Sequence, residues 1–385
     1  MLYKRGLVKP ARAFFLFGPR GVGKTTWIRQ NFKNAYMIDL LPSRVNLEYL
    51  KNPMLLEQEV NAQPRTKWVV LDEIQKVPSL LDEIHNLMEN HNHKLFVLSG
   101  SSARKIRRGG ANLLAGRAVI RHLFPLTSKE LNFSVPIEQL ITYGSLPASI
   151  NASTNFERDD FLTSYIETYL REEIKEEGLV RRLDSFARFM DIAALAGAQT
   201  TNIAGIARDS GVNRNSVRGF FNILEDTLIG HWLPSYRKRA KIKEVSHPKF
   251  YWFDAGILRV ASGGAKEPLE SDWKGKALET WLFHELSAYI HYSGAGGTLS
   301  YWRTPSGSEV DFVWQKGNKI VAIEVKASKH YNHKFGTGLR SLEEGIKLTQ
   351  QWLVYMGEKS LKDGNIHITP ALQFVKLLAQ GEIIY

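Results

Sequence analysis

The chain has 385 residues, enough for two or three domains, and 43% of them are hydrophobic, enough for real cores. It contains no cysteine, which excludes disulfides and thiolate metal sites and fits a reducing cytoplasm. Lys and Arg outnumber Asp and Glu by 51 to 39, and the resulting net charge of +12 favours a polyanionic partner without naming one. The segment Met1-Leu2-Tyr3-Lys4-Arg5 lacks the apolar core of a signal peptide, and no stretch approaches the ~18 apolar residues of a membrane span. A cytoplasmic protein with no membrane contact is therefore expected.

In chain order, Ala13-Phe14-Phe15-Leu16-Phe17 reads as a buried strand. It leads into Gly18-Pro19-Arg20-Gly21-Val22-Gly23-Lys24-Thr25, a complete G-x-x-x-x-G-K-[ST] phosphate-binding loop, and Thr25-Thr26-Trp27-Ile28-Arg29-Gln30 reads as a helix start. Backbone N–H groups of such a loop and the positive helix N-terminus cradle phosphates. ATP with Mg²⁺ is the expected ligand, held by Gly18 through Thr26, with Lys24 at the β/γ-phosphates and the Thr25 hydroxyl on the metal.

Trp68-Val69-Val70-Leu71 is a second apolar strand, and it ends in Asp72-Glu73. A strand apolar on both faces tolerates acids only at its end, where ligands of open α/β sheets bind. Asp72 is expected to hold Mg²⁺ through water and Glu73 to orient the attacking water. A third strand, Lys94-Leu95-Phe96-Val97-Leu98, ends in Ser99-Gly100-Ser101-Ser102, so Ser99 or Ser101 is a candidate γ-phosphate sensor, although a plain Ser-Gly turn accounts for the same residues. Arg117, in Leu113-Leu114-Ala115-Gly116-Arg117-Ala118, and Arg121 after it are either surface residues or arginine fingers for a neighbouring subunit.

Positive charge gathers in Arg104-Lys105-Ile106-Arg107-Arg108 and again in Arg237-Lys238-Arg239-Ala240-Lys241-Ile242-Lys243, whose alternation suggests an exposed strand or hairpin wing. Between them lies a helix-turn-helix pattern: a helix from Phe186 to Ala196, a short helix from Ile203 to Asp209 capped at Thr201-Asn202, a turn at Ser210-Gly211-Val212-Asn213, and a helix over Asn215 to Leu224. Helices, Gly turn, strand and basic ribbon follow the order of a winged helix, in which Arg214, Asn215 and Arg218 would face a major groove. A helical packing module with no DNA contact fits the same pattern.

Lys274-Gly275-Lys276-Ala277-Leu278-Glu279 starts an amphipathic helix that runs through Trp281, Leu282, Leu286 and Ile290. Two strands follow, Ser308 to Trp314 and Lys319 to Lys326, with Gly317-Asn318 as a two-residue hairpin turn. That turn makes paired positions sum to 635, which sets Asp311 opposite Glu324 and Glu309 opposite Lys326, all on one face. Opposed carboxylates repel unless a cation lies between them, and Mg²⁺ or Mn²⁺ would supply it. Glu279, Asp311 and Glu324 are the expected metal ligands, and Lys326 the group that orients water or steadies negative charge. A hairpin of mutually neutralising Lys–Glu pairs is the plainer reading.

These pieces together resemble the bacterial and archaeal AAA-type ATPases that carry a C-terminal domain of unknown function similar to the PD-(D/E)xK nuclease superfamily. The resemblance spans nearly the whole chain and rests on Gly18 to Thr25, Leu71-Asp72-Glu73, Leu98-Ser99-Gly100-Ser101-Ser102, Leu114-Ala115-Gly116-Arg117, Phe124-Pro125-Leu126, Tyr143-Gly144-Ser145-Leu146-Pro147, Phe253-Asp254-Ala255-Gly256, and Glu309-Val310-Asp311 with Glu324-Val325-Lys326. Val310 stands where the superfamily name has proline. The resemblance implies Arg117 as a finger or sensor and a homo-oligomer, a hexameric ring among its forms. The expected fold is α/β in three parts: an AAA-type ATPase domain at 1–150, a helical linker with a winged-helix segment at 151–245, and a restriction-endonuclease-like domain at 246–385. The function expected is Mg-dependent ATP hydrolysis driving a DNA motor or remodelling factor. The alternative is a nucleotide-switched regulatory ATPase whose C-terminal domain binds a protein partner.

Overall fold

In the computed structural model, residues 1–90, 94–102, 113–170, 183–236, 247–265 and 271–385 are described. Both basic clusters, Arg104 to Arg108 and Arg237 to Lys243, lie outside the described residues. The chain forms two compact units, Leu7–Phe124 with Asp226–Ile229, and Met1–Gly6 with Pro125–Glu225 and Gly230–Tyr385.

The first unit is built on a five-stranded parallel sheet: β1 (Phe14–Phe17), β2 (Tyr36–Asp39), β3 (Trp68–Asp72), β4 (Leu95–Gly100) and β5 (Val119–His122), in the order β2-β3-β4-β1-β5. The three strands expected from apolar runs are the three central ones, because a strand covered on both faces is apolar at every position. β2 and β5 are the edges, where only Ile38 is buried, and so lack that signature. One face packs Phe15, Phe17, Val69, Leu71, Phe96 and Leu98 with the helix Leu80–Asn90. On the other face Phe14 meets Trp27, Phe32 and Trp68 edge-on or tilted. With β4 between β1 and β3, the loop after β1, Asp72 and Ser99 all fall at the C-terminal edge of adjacent strands.

The second unit contains the helices Ile137–Tyr143, Pro147–Asn151 and Asn155–Ser164, then Leu183–Leu195, Ile203–Ser210 and Arg214–Asp226. Asn202 caps the second of the latter three, accepting from the Gly205 N–H, and Gly211 ends it in the left-handed conformation. The antiparallel pair β6 (Gly230–Leu233) and β7 (Lys249–Trp252) follows. A six-stranded mixed sheet comes last, in the order β12-β13-β11-β10-β9-β8. Its strands are β8 (Thr298–Arg303), β9 (Glu309–Lys316), β10 (Lys319–Lys326), β11 (Gln350–Tyr355), β12 (Leu361–Asp363) and β13 (Ile366–Pro370). The helices Ser271–Ser293 and Ala371–Gln380 pack on one face and Thr337–Gly345 on the other.

Residues 125–150, placed with the ATPase part by the sequence, pack in this second unit. The Glu285 carboxylate accepts from the Ser128 N–H and hydroxyl at 2.7 and 2.6 Å, and His284 Nε2 lies 3.2 Å from the Pro125 carbonyl. Two motifs without an assigned role also meet here. Asp254 caps the helix Ala255–Ala261 through the Ile257 N–H and takes the Ser145 N–H at 2.7 Å with its other oxygen. Gly144 approaches so closely that a Cβ there would lie 1.9 Å from Asp254 Oδ1. Tyr143 to Pro147 and Phe253 to Gly256 therefore form one structural clasp.

Candidate functional site

The phosphate loop is folded as its sequence requires. Gly21 and Gly23 adopt φ of 78° and 93°, which a side chain would resist, and a Cβ on Gly18 would lie 2.4 Å from the Leu123 carbonyl oxygen. Lys24 opens the helix Lys24–Asn31 and is buried, its ammonium donating to the carbonyls of Gly18 at 2.7 Å and Pro19 at 3.2 Å. Thr25 Oγ1 donates to Asp72 Oδ2 at 2.6 Å, and Ser99 Oγ donates to Asp72 Oδ1. One carboxylate thus gathers both hydroxyls, from three segments far apart in sequence. A hydroxyl and a carboxylate side by side at the phosphate loop are hard oxygen donors that fit Mg²⁺. Arg20 and Thr26 are exposed at the rim of the loop.

Glu73 sits in left-handed backbone at φ 61°, an uncommon state for a non-glycine residue. Its carboxylate accepts from Gln75 Nε2, which also lies 3.1 Å from Ser101 Oγ. Gln75 is buried, and among the described residues its Oε1 has no hydrogen-bond partner. A Cβ on Gly100 would lie 2.4 Å from that oxygen, so Gly100 makes room for the amide. The sequence reading missed Gln75, since nothing in its spacing separates it from an ordinary turn residue. Arg117 is half-exposed and pairs with Glu89 at 2.7 Å, with His85 beside it. Arg121 donates to the carbonyl of Ile120.

The second site lies on β7, β9, β10 and the helix Ser271–Ser293. The hairpin register holds for five pairs, from Lys319 with Lys316 to Ile323 with Phe312, each summing to 635. Beyond them the ladder changes. On the other side of β9, β8 pairs Ser300 with Val313 and Trp302 with Val310, so Asp311 and Phe312 together oppose Tyr301. This bulge breaks the alternation: Val310 and Val313 both lie in the core under Thr337–Gly345, while Phe312 lies in the opposite core. Asp311 comes round to meet residues of the helix Ser271–Ser293, and its Oδ2 takes the Val325 N–H at 2.9 Å.

The cation between the carboxylates is a lysine that the sequence reading did not single out. Lys249 Nζ lies 2.6 Å from Glu309 Oε1, 2.8 Å from Glu279 Oε1 and 3.4 Å from Asp311 Oδ1, and its side chain is only 2% exposed. The Tyr251 hydroxyl donates to the same Glu279 oxygen. Two expectations need correction. Glu309 pairs with Lys249 and, at 3.5 Å, Arg303, whereas Lys326 pairs with Glu324; the four side chains are not aligned on one face. Among the described residues no group of three or more His, Cys, Asp or Glu side chains is arranged to hold a metal ion. Glu279 and Asp311 converge on an ammonium instead, so the arrangement does not fit a divalent ion there. Glu324 is buried, and among the described residues its Oε2 lacks a partner.

The electrostatics follow from burial. It pushes the Glu279 carboxyl up to about 7, with Asp311 adding to the effect. It also raises Glu324 well above the usual carboxylate range, again helped by Asp311. Burial alone would lower the Lys249 ammonium, but Glu279 and Asp311 outweigh it and hold the group well above its ordinary value. Lys326 is raised for the same reason, with Glu324 and Asp311 overcoming desolvation.

The family model described as AAA domain matches residues 10–132. Together with the phosphate loop and the parallel sheet, this match decides the first unit. Residues 10–132 are similar to the AAA domain family, and the first unit has a P-loop ATPase fold. Two models described as domains of unknown function, DUF8612 and DUF4143, match residues 136–267 and 274–374. Uncharacterized proteins of Mycobacterium bovis and Mycobacterium tuberculosis are each 25% identical over 352 residues, covering 90% of this chain and 77% of theirs. An uncharacterized protein of Haemophilus influenzae is 22% identical over 289 residues, 70% of this chain and 68% of its own. Among solved structures, the replication initiator DnaA bound to AMPPCP and single-stranded DNA is 16% identical with a TM-score of 0.29, covering 56% of this chain and 82% of its own. A Vibrio cholerae protein is 13% identical with a TM-score of 0.23, covering 96% and 97%. Both scores are too low to bear on function. Among the described residues no helix is long and apolar enough to cross a membrane.

Proposed function

We propose that the chain is a Mg²⁺-dependent ATP hydrolase that acts on DNA as a motor or remodelling factor, working in the cytoplasm as a homo-oligomer, with a hexameric ring among the possible forms. The observation that carries the ATPase reading is the convergence of Thr25 and Ser99 on Asp72 beside Lys24. Lys24 would leave the Gly18 and Pro19 carbonyls for the β/γ-phosphates; Thr25 and Asp72 would hold Mg²⁺, which when bound neutralises charge on the phosphates. Glu73 would orient the attacking water, Ser99 would sense the γ-phosphate, and Arg117 would reach the nucleotide of a neighbouring subunit. The chain would comprise an ATPase part, a winged-helix-like part at 151–245 and a nuclease-like part at 246–385. What supports DNA as the partner is the surplus of +12, together with helices 203–210 and 214–226 followed by the ribbon β6–β7.

The test is the ATP turnover rate at low salt with and without single-stranded, duplex and branched DNA, with Lys24→Ala as the blank. Stimulation by one DNA form, fading as salt rises, is the expected result. A rate unmoved by every DNA would remove the motor reading and favour a nucleotide-switched regulator whose C-terminal domain binds a protein.

A further inference from the structure

The geometry points to Lys249 as the resident cation of the acid cluster at Glu279, Glu309 and Asp311, standing where a nuclease-like site would take a divalent metal, so that the folded protein keeps a latent metal site closed by its own ribbon. The inference rests on reading the β9–β10 hairpin as nuclease-like, and deepens that reading.

The carboxylates of Glu279, Glu309 and Asp311 converge and need positive charge nearby, and the ammonium of Lys249 supplies it from 2.6 to 3.4 Å. Its position is imposed by the backbone. Lys249 begins β7, pairs with Leu233 of β6, and bridges Thr200 on its other side. The lysine therefore comes from the segment 136–267, and the acids it neutralises come from 274–374. Two observations mark the cluster as more than a neutral ion-pair network. The bulge at Asp311–Phe312 turns Asp311 towards Glu279, where a regular strand would have kept it under Thr337–Gly345. In addition, Glu324 Oε2 is buried without a hydrogen-bond partner among the described residues, although the neighbouring Oε1 is held by Lys326. Buried carboxylate oxygens ordinarily have partners, and one left over beside Asp311 is an unused donor for a hard cation. An ammonium and a divalent ion cannot share the place between Glu279 and Asp311. Removing the first would open it to the second.

Mn²⁺ uptake by the nucleotide-free 385-residue chain, followed by the electron paramagnetic resonance signal of the free ion, tests this. The wild type and Asp311→Asn are expected to take up equal Mn²⁺. Lys249→Met is expected to gain one ion per chain, a gain lost again in Lys249→Met with Asp311→Asn, and to unfold at higher temperature with Mn²⁺ than with EDTA. Lys249→Gln serves if the methionine variant fails to fold, as judged by circular dichroism. Mn²⁺ held by the wild type and lost in Asp311→Asn would overturn the proposal while leaving the nuclease-like reading intact. Folded lysine variants that gain no Asp311-dependent ion would overturn both.

Discussion

Glu73 is the residue on which hydrolysis is proposed to turn, and its neighbourhood is constrained in two ways. Its left-handed backbone stores on the order of 1–3 kcal/mol, and Gln75 holds its carboxylate while reaching Ser101, just past the end of β4. Gln75 would thus be a positioning residue, linking the proposed water-orienting acid to the end of the proposed sensor strand. Gln75→Ala should lower kcat by roughly tenfold, less than the roughly 10²–10⁴-fold that a general base itself contributes, while nucleotide affinity measured with a fluorescent ATP analogue stays within about twofold, since among the described residues Gln75 bonds to Glu73 and Ser101, outside the phosphate loop. Equal losses in kcat and affinity would show that Gln75 merely supports the fold. Asp72 and Glu73 were legible in the sequence because acids ending an apolar run contradict burial. Gln75 and Lys249 were not, because a buried amide or ammonium leaves no mark on spacing. Only the fold shows that each meets an acid.

At the scale of elements, the hairpin turn at Gly317-Asn318 was enough to give the β9–β10 register, since a two-residue turn leaves the pairing no freedom. The bulge one strand away was not legible, because it depends on how β8 meets β9. The clasp of Gly144 and Asp254 makes a sharper demand. Gly144 has φ 69° and ψ −167°, a region kept for glycine, and a methyl group there would strike the Asp254 carboxylate. Gly144→Ala should therefore cost about 3 kcal/mol or more in urea unfolding, from backbone strain and a lost cap together. Glu285 sets a pH dependence in the same unit. Burial raises its carboxyl from 4.5 to about 7, so between those values the folded state binds the extra proton. Stability then falls as pH rises from about 5 to about 7 and levels off above. Glu285→Gln keeps an oxygen for Ser128 and should flatten that slope by up to about 3 kcal/mol. Unfolding free energies at both ends of the window, in both proteins, check this; the same slope in the variant would leave Glu285 without the role.

At the scale of the whole molecule, charge was the most legible property and the least located one. The surplus of +12 is a sum over the chain, and two dense contributions to it, at 104–108 and 237–243, fall outside the described residues. If the DNA reading holds, these clusters carry different consequences. The cluster at 237–243 lies in sequence between β6 and β7, after the helices Ile203–Ser210 and Arg214–Asp226, and its lysines and arginines are proposed to serve DNA contact with that segment. The cluster at 104–108 follows β4, which ends in the proposed γ-phosphate sensor, so its charge belongs with the nucleotide cycle. Replacing Arg237, Lys238, Arg239, Lys241 and Lys243 with glutamine should leave DNA-free ATP turnover unchanged. It should also reduce the slope of log affinity for duplex DNA against log salt by roughly 0.9 for each phosphate that is no longer neutralised. Replacing Arg104, Lys105, Arg107 and Arg108 should instead change how far DNA stimulates turnover, with a smaller change in the slope. An unchanged slope in the first variant would take the ribbon out of DNA binding and leave the helices as a packing module, which is the regulatory reading of the chain.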